Sequence, residues 1–384
     1  MEERRGMPWR GDVLMRMQRR LGLAPEGGMG TARRAAFWGL LGWAPVAAWA
    51  LATGHGSASE TESLLTHYGV TVRLLIAVPL MVVAEGVAAA TVLRLATHCA
   101  VAGLFHGDPA ALRRLAVELA ELRDRVHPWA VAIGVTLAWV LAWRETGGAG
   151  RAHDLAWAGG DAESGFGPLW YVWVARPIFI AFVAAWLWRA MVLAVALHRL
   201  AAGGLNVVPS HPDRAGGLGF AEPLATAFGV VAFALSAVIA AGWAHDVAVH
   251  GANIEALRAQ MIAAVVVISA IFLSPFAALV PLMVRTKADA RLQYGALVAR
   301  YGDALHRRWI VGETLTDPLL DAPEVGASAD AATLYEAVMR MRPLPIGPGA
   351  LLVVVVPATL PMIVLAAMQI PVIEMLKTLA GALV

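Results

Sequence analysis

The feature that most constrains this chain is the length of its apolar runs. A helix rising about 1.5 Å per residue needs about 20 mostly apolar residues to cross a hydrocarbon core about 30 Å thick. Seven stretches meet that need, near residues 35–52, 69–93, 128–143, 169–197, 223–243, 259–284 and 349–367. The third is short and the fourth long, which tilt and local bilayer thickness absorb. Composition points the same way, with 59% hydrophobic and 15% charged residues and a mean hydropathy of +0.65, against about 25% charge in a soluble domain. A water-soluble enzyme and a disordered chain are thereby excluded, and one cysteine, Cys99, cannot staple a disulfide scaffold. The expected fold class is an all-α, polytopic integral membrane protein with seven transmembrane helices and a small helical cytoplasmic bundle.

Orientation follows from the 30 Lys and Arg, which favour cytoplasmic loops. Eight precede the first run, five lie between the second and third, two between the fourth and fifth, and eight between the sixth and seventh. The alternate connections hold only Arg144, Arg151, Arg258 and Lys377. This predicts the amino end inside and the carboxyl end outside. The tryptophans suit that layout, with Trp49, Trp139, Trp143, Trp170, Trp173 and Trp243 at outer ends and Trp38, Trp129, Trp186 and Trp188 at inner ends, as interfacial belts. A signal-peptide reading of the first run, ending at Ala50-Leu51-Ala52, is the less favoured alternative, because its basic leader is long for such a segment.

The chain then divides into a basic cytoplasmic segment at 1–34, runs one to six at 35–284 with a cytoplasmic helix at 108–126, a cytoplasmic helical extension at 285–347, and the seventh run with a short amphipathic tail at 348–384. In the first part, Val13, Leu14, Met17 and Leu21 recur at helical spacing beside Arg16, Arg19 and Arg20, predicting a basic amphipathic helix against the inner leaflet or a simple retention signal. The sixth run should continue as one rod from about 259 to 309. After a Pro/Asp/Gly-rich break, a second helix begins near Asp330 and stops at Pro343. The tail at 372–384 is too short to cross and should lie in the outer interface or among the helices.

The strongest local motif is Pro209-Ser-His211-Pro-Asp213-Arg214-Ala-Gly216-Gly217-Leu-Gly219-Phe220. In a functional reading, Gly216, Gly217 and Gly219 let backbone N–H groups approach a ligand, Arg214 supplies charge, and His211 or Asp213 handles a proton or cation. In a structural reading, the motif is a tight interfacial turn in which Asp213 caps a helix and Arg214 binds a lipid phosphate or a carboxylate. The Gly-Lys-Ser/Thr ending of a P-loop is absent. The string from His211 to Phe220, with Tyr335-Glu-Ala-Val-Met-Arg-Met-Arg-Pro343 and the tail containing Pro371, resembles a family of uncharacterised bacterial polytopic membrane proteins. The resemblance implies a bacterial inner-membrane location and this architecture, with no activity attached.

Charges within the apolar runs are the second signal, since each costs about 2.5–3.5 kcal/mol on insertion scales. Glu85 and Arg189 fall in the inner halves of the second and fourth runs and are expected to pair, as a helix-fixing contact or a conduction element. Arg73 and Arg176 fall in the outer halves of the same runs and read either as facing a wet vestibule that attracts anions or, for Arg73, as snorkelling to the nearby interface. The histidines His55, His67, His153, His245 and His250 near Glu60, Glu62, Asp154, Asp161 and Asp246 show no diagnostic metal spacing and read as solvated loop residues, the alternative being metal ligands or pH sensors at His245-Asp246 and His250. Pro275 and Pro281 in the sixth run, and Pro357 and Pro361 in the seventh, predict two doubly kinked neighbours able to form a gate, or a curved bundle.

Together these features favour an oligomeric channel or transporter for a small ion or solute. A membrane scaffold or signalling partner comes next. An enzyme working at the cytoplasmic face through His211 to Arg214 is last, because no second acidic or nucleophilic cluster accompanies them. The expected partners are the lipid bilayer, further copies of the chain, and an anionic lipid or small ion; no cofactor, metal or nucleic acid is expected.

Overall fold

A computed structural model describes residues 13–24, 30–55, 63–101, 117–119, 121–122, 133–135, 137–138, 155–161, 165–203, 205–313 and 324–368. Most of the third apolar run at 128–143, most of the helix expected at 108–126, the tail at 372–384, and Glu60, Glu62, His153 and Asp154 lie outside them. Among the described residues the structure is helical, without strands. Six helices there are long and apolar enough to cross a membrane: Thr31–Ala52, Tyr68–Val92, Phe166–Ala202, Leu224–His250, Ile254–Val311 and Pro348–Ala367.

Helix α1 (Val13–Arg20) is short and basic, and α2 (Thr31–Thr53) follows it. The next helix is composite: α3 (Tyr68–Val72), a π-turn (Arg73–Ala77) and α4 (Val78–Val101). The same pattern recurs in α5 (Phe166–Trp170), a π-turn (Tyr171–Ala175) and α6 (Arg176–Ala202). Then come α7 (Leu224–His250), α8 (Ile254–Leu273), a 3₁₀ turn (Ser274–Leu279), α9 (Val280–His306), α10 (Glu324–Arg340) and α11 (Pro348–Ala367).

Cross-helix contacts give each helix a direction. Arg34, in the first turn of α2, meets Glu85 of α4, whereas Val46 and Ala50 pack with Val70 and Leu74, so α2 and α4 are antiparallel. Tyr171 meets Arg73 and Arg189 meets Glu85, so α6 runs parallel to α4. Gly229 and Ser236 of α7 lie against Val353 and Ala358, so α7 and α11 are parallel. Helix α8 returns between them, Met261 packing with Met362 and Leu365. The bundle therefore has a near end, where α2, α7 and α11 begin, and a far end, where they finish.

Alanine-rich α7 is the axis. Ala225, Ala227, Phe228, Val231, Ala232 and Ala234 join α2, α4, α6, α8 and α11 in one core, because small side chains let helices approach closely where lipid offers no hydrophobic drive. The closest approach is at Gly229, where any Cβ would collide with the Val353 carbonyl oxygen. Pro357 lacks the N–H that would bond Val353 in an unbroken helix, so the carbonyl freed by the proline is the one seated on the glycine. Ser236 Oγ donates to the Ala358 carbonyl at 2.5 Å.

The rod expected from 259 to 309 is present as one helical stretch, Ile254–Val311, with a 3₁₀ turn inside it. Pro275 lies in the first turn of that 3₁₀ segment, where Ser274 Oγ donates to the Ile271 carbonyl that the proline cannot bond, and Pro281 lies in the first turn of α9. The 3₁₀ turn packs chiefly on α6, whereas Pro357 and Pro361 sit within α11 beside α7 and α8. At the near end α9 and α10 form an antiparallel hairpin, with Ala290, Ala331 and Val338 buried and Lys287 Nζ donating to the Met341 carbonyl at 2.5 Å.

Candidate functional site

Four polar side chains that a lipid-embedded core would ordinarily reject meet at the near end of α2, α4 and α6. Glu85 is 2% exposed, Arg34 and Gln18 are 0%, and Arg189 is 5%. Glu85 Oε2 accepts from Arg34 Nη2, and Glu85 Oε1 accepts from Arg189 Nη2 at 2.7 Å. Gln18 Oε1 accepts from Arg34 Nε. The Arg189 guanidinium also lies 5.1 Å from the Trp186 ring centroid, a stacking that guanidinium favours. Trp186 is held in turn by its Nε1–H, which donates to the Met81 carbonyl at 3.1 Å. The expected Glu85–Arg189 pair is therefore present, and it has two further members.

Arg34 was read as part of the basic leader, yet it belongs to α2, which begins at Thr31, four residues before the apolar run read from hydropathy. Gln18 lies on α1, whose amphipathic pattern gave no hint that one amide would reach into the bundle. Trp186 and Trp38 are buried core residues, not members of an interfacial belt.

The same two parallel helices carry a second charged cluster further from the near end. Arg73 Nη1 donates to the Tyr171 hydroxyl, and the Arg73 guanidinium lies 5.6 Å from the Phe179 ring centroid. Both bonded residues stand at the first position of a π-turn, a rare deviation that is frequent at functional sites. Arg176 begins α6 one turn before Phe179 and is half-buried. Neither Tyr171 nor Phe179 was singled out in the sequence.

The glycine motif turns its N–H groups inward. Asp213 Oδ1 accepts from the N–H of Ala215 at 2.7 Å and Gly217 at 3.2 Å, and Oδ2 accepts from the N–H of Gly219 at 3.0 Å. His211 Nδ1 lies 2.8 Å from Asp213 Oδ1. Burial raises the Asp213 pKa, but the three backbone N–H groups and His211 outweigh it and hold the carboxyl below its ordinary 3.8. Gly217, at φ +87°, adopts the left-handed backbone this cradle needs. The nest that a ligand anion could use is thus filled by the chain's own carboxylate, and the exposed Arg214, at φ +58°, is carried on the same turn.

Arg342 clamps this loop to the start of α11. Its Nη2 donates to the Asp213 carbonyl at 2.9 Å, its backbone N–H donates to the Arg214 carbonyl at 2.8 Å, and its guanidinium lies 3.5 Å from Glu222. Glu222 also accepts from the Gly347 N–H at 2.5 Å. The segments His211–Phe220 and Tyr335–Pro343 are therefore in direct contact.

At the far end, His67 and His245 are buried, 4% and 0% exposed, with ring centroids 4.4 Å apart. They are not the solvated loop residues expected, because α7 extends to His250 instead of ending near Trp243. Among the described residues no three His, Cys, Asp or Glu side chains converge as a metal site would require. Comparison of the chain with protein-family models, with curated proteins and with solved structures gives no match.

Proposed function

We propose that this chain is a multi-pass transport protein or channel that moves a small ion or solute along the seam between α2, α4 and α6. The observation that carries the reading is the placement of ionisable groups at two depths of that seam: Arg73 beside Tyr171 at one level, and Arg34, Glu85 and Arg189 at the other. Ionisable groups inside membrane helices are costly and usually mark a pathway or a pair. Here a pathway requires both levels, whereas a purely structural pair requires only one.

The same reading gives the chain seven crossings. Because α4 and α6 run parallel, the intervening chain has to return from the near end to the far end, and the apolar run at 128–143 is the segment able to do so. The near end, with α1, the motif loop and the α9–α10 hairpin, is then cytoplasmic by its arginine excess, and the carboxyl end is outside. A bacterial inner membrane follows from the family resemblance alone. Copies of the chain would meet through the exposed apolar faces of α8 and α11, at Ile262, Val266, Val356 and Ile363.

The scaffold reading retains one observation of its own. Trp309, Ile310 and Val311 are 67%, 74% and 58% exposed in a π-turn (Arg307–Val311) that follows α9, a patch suited to a protein partner. The enzyme reading is weakened, since the motif's N–H groups serve Asp213. Flux measurements on purified protein in vesicles decide between transport and scaffold. Transport requires solute or ion flux that Arg73→Gln lowers at least tenfold while the protein remains folded; equal flux in both proteins and in empty vesicles would remove the reading.

A further inference from the structure

We propose that the groove between α8 and α11 at the far end binds one anionic phospholipid, with its phosphate on Arg258 and an acyl chain along the groove. The site is independent of what the chain transports.

The groove has a volume of about 310 Å³. Met261 and Met362, which share one buried cluster, line it together with Val266 on α8 and with Thr359 and Ala366 on α11. Thr359 adds no polar group, because its hydroxyl donates to the Val355 carbonyl at 2.7 Å. Arg258 supplies the charge. Water finds no partner along the rest of the groove, whereas an apolar chain gains contact over its whole length.

The groove also has the length and placement of an acyl chain. Arg258 stands one turn into α8, so it marks the far-end mouth, beside Ala366 near the end of α11. From Arg258 to Val266 the helix rises about 12 Å, against about 15 Å for half of a hydrocarbon core. The groove thus runs from headgroup depth nearly to the midplane.

Charge selects the occupant. A guanidinium stays protonated at any working pH. That of Arg258 is half-buried and has no ion-pair or hydrogen-bond partner among the described residues, Glu255 one turn before it included. A second copy laid over the groove would bury this cation against an apolar helix face, at a cost. A free anion would answer the charge and leave the apolar length empty. A phospholipid meets both needs, since phosphate oxygens match the guanidinium fork and basic pockets between membrane helices take lipid headgroups. An anionic headgroup is favoured over a zwitterionic one, which would bring a second cation to the mouth.

Native mass spectrometry of the purified chain in detergent, with phosphatidylglycerol and phosphatidylcholine supplied in equal amounts, tests the site. The unaltered chain should retain one more phosphatidylglycerol than Arg258→Gln does. Ala366→Trp, which fills the groove and keeps the charge, should lose the same single lipid. Both losses are required, and retention in either variant overturns the site, as does a lipid-free dimer. Thermal unfolding gives a second readout: added phosphatidylglycerol should raise the midpoint of the unaltered chain by about 2–4 °C more than that of either variant, and equal rises overturn the site. Should the variants not fold, a density map of the unaltered chain in phosphatidylglycerol nanodiscs decides. Phosphate density at Arg258 with acyl density along the groove sustains the site; a second copy, the carboxyl-terminal segment or no density there overturns it.

Discussion

Glu85 accepts hydrogen bonds from guanidiniums on two different helices, so losing it leaves two buried cations to be met by an amide. Breaking a buried pair by removing one partner costs about 3–5 kcal/mol, whereas replacing every member by well-packed apolar groups is often neutral. Glu85→Gln should therefore lower the thermal midpoint strongly, and the triple variant Glu85→Leu, Arg34→Met, Arg189→Met should recover most of that loss while abolishing flux, as read by scanning fluorimetry and vesicle assays. Asp213 gives a pH prediction of defined sign. Its carboxyl is held below 3.8 when folded, so the stability it contributes is fully present above that ordinary value and is lost as pH falls through the lower folded one. The midpoint of the unaltered chain should drop over that acid range, and Asp213→Asn should already have lost this component at pH 7.

At the scale of elements, the contact between α7 and α11 is the most demanding packing among the described residues. Gly229→Ala pushes a methyl into the Val353 carbonyl and should cost about 1–3 kcal/mol, the usual range for overpacking. Gly242→Ala, on the same helix with nothing within 4 Å of its added Cβ, should be neutral or slightly stabilising because alanine favours a helix. Paired unfolding measurements of the two variants check this. The bounds of α11 were readable to one residue, since a Gly-Pro pair precedes an uninterrupted apolar run. The two π-turns were invisible, because a one-residue widening leaves hydropathy unchanged. Arg34 was misplaced for a related reason: a charge beside an apolar run reads as a flank, and only its partner on α4 shows that it is inside. Gln18 carried no signal at all, being one polar residue on a mostly polar helix. The Glu85–Arg189 pair was legible because two opposite charges at matching depth in hydrocarbon leave few other arrangements.

For the whole molecule, the directions of the helices make the topology testable. Reporter fusions or accessible cysteines should place position 20 in the cytoplasm and position 384 outside, and a cytoplasmic carboxyl end would remove the seventh crossing and reverse the predicted sides. The buried cluster also has a consequence for how the chain is made. Arg34 and Glu85 are 51 residues apart, whereas Glu85 and Arg189 are 104 apart. The first hairpin to leave the ribosome can thus enter the bilayer with its opposite charges already matched, and the later arginine arrives at a carboxylate waiting for it. Nascent chains halted before residue 189 should integrate yet remain protease-sensitive, acquiring resistance only after the helix bearing Arg189 has been translated.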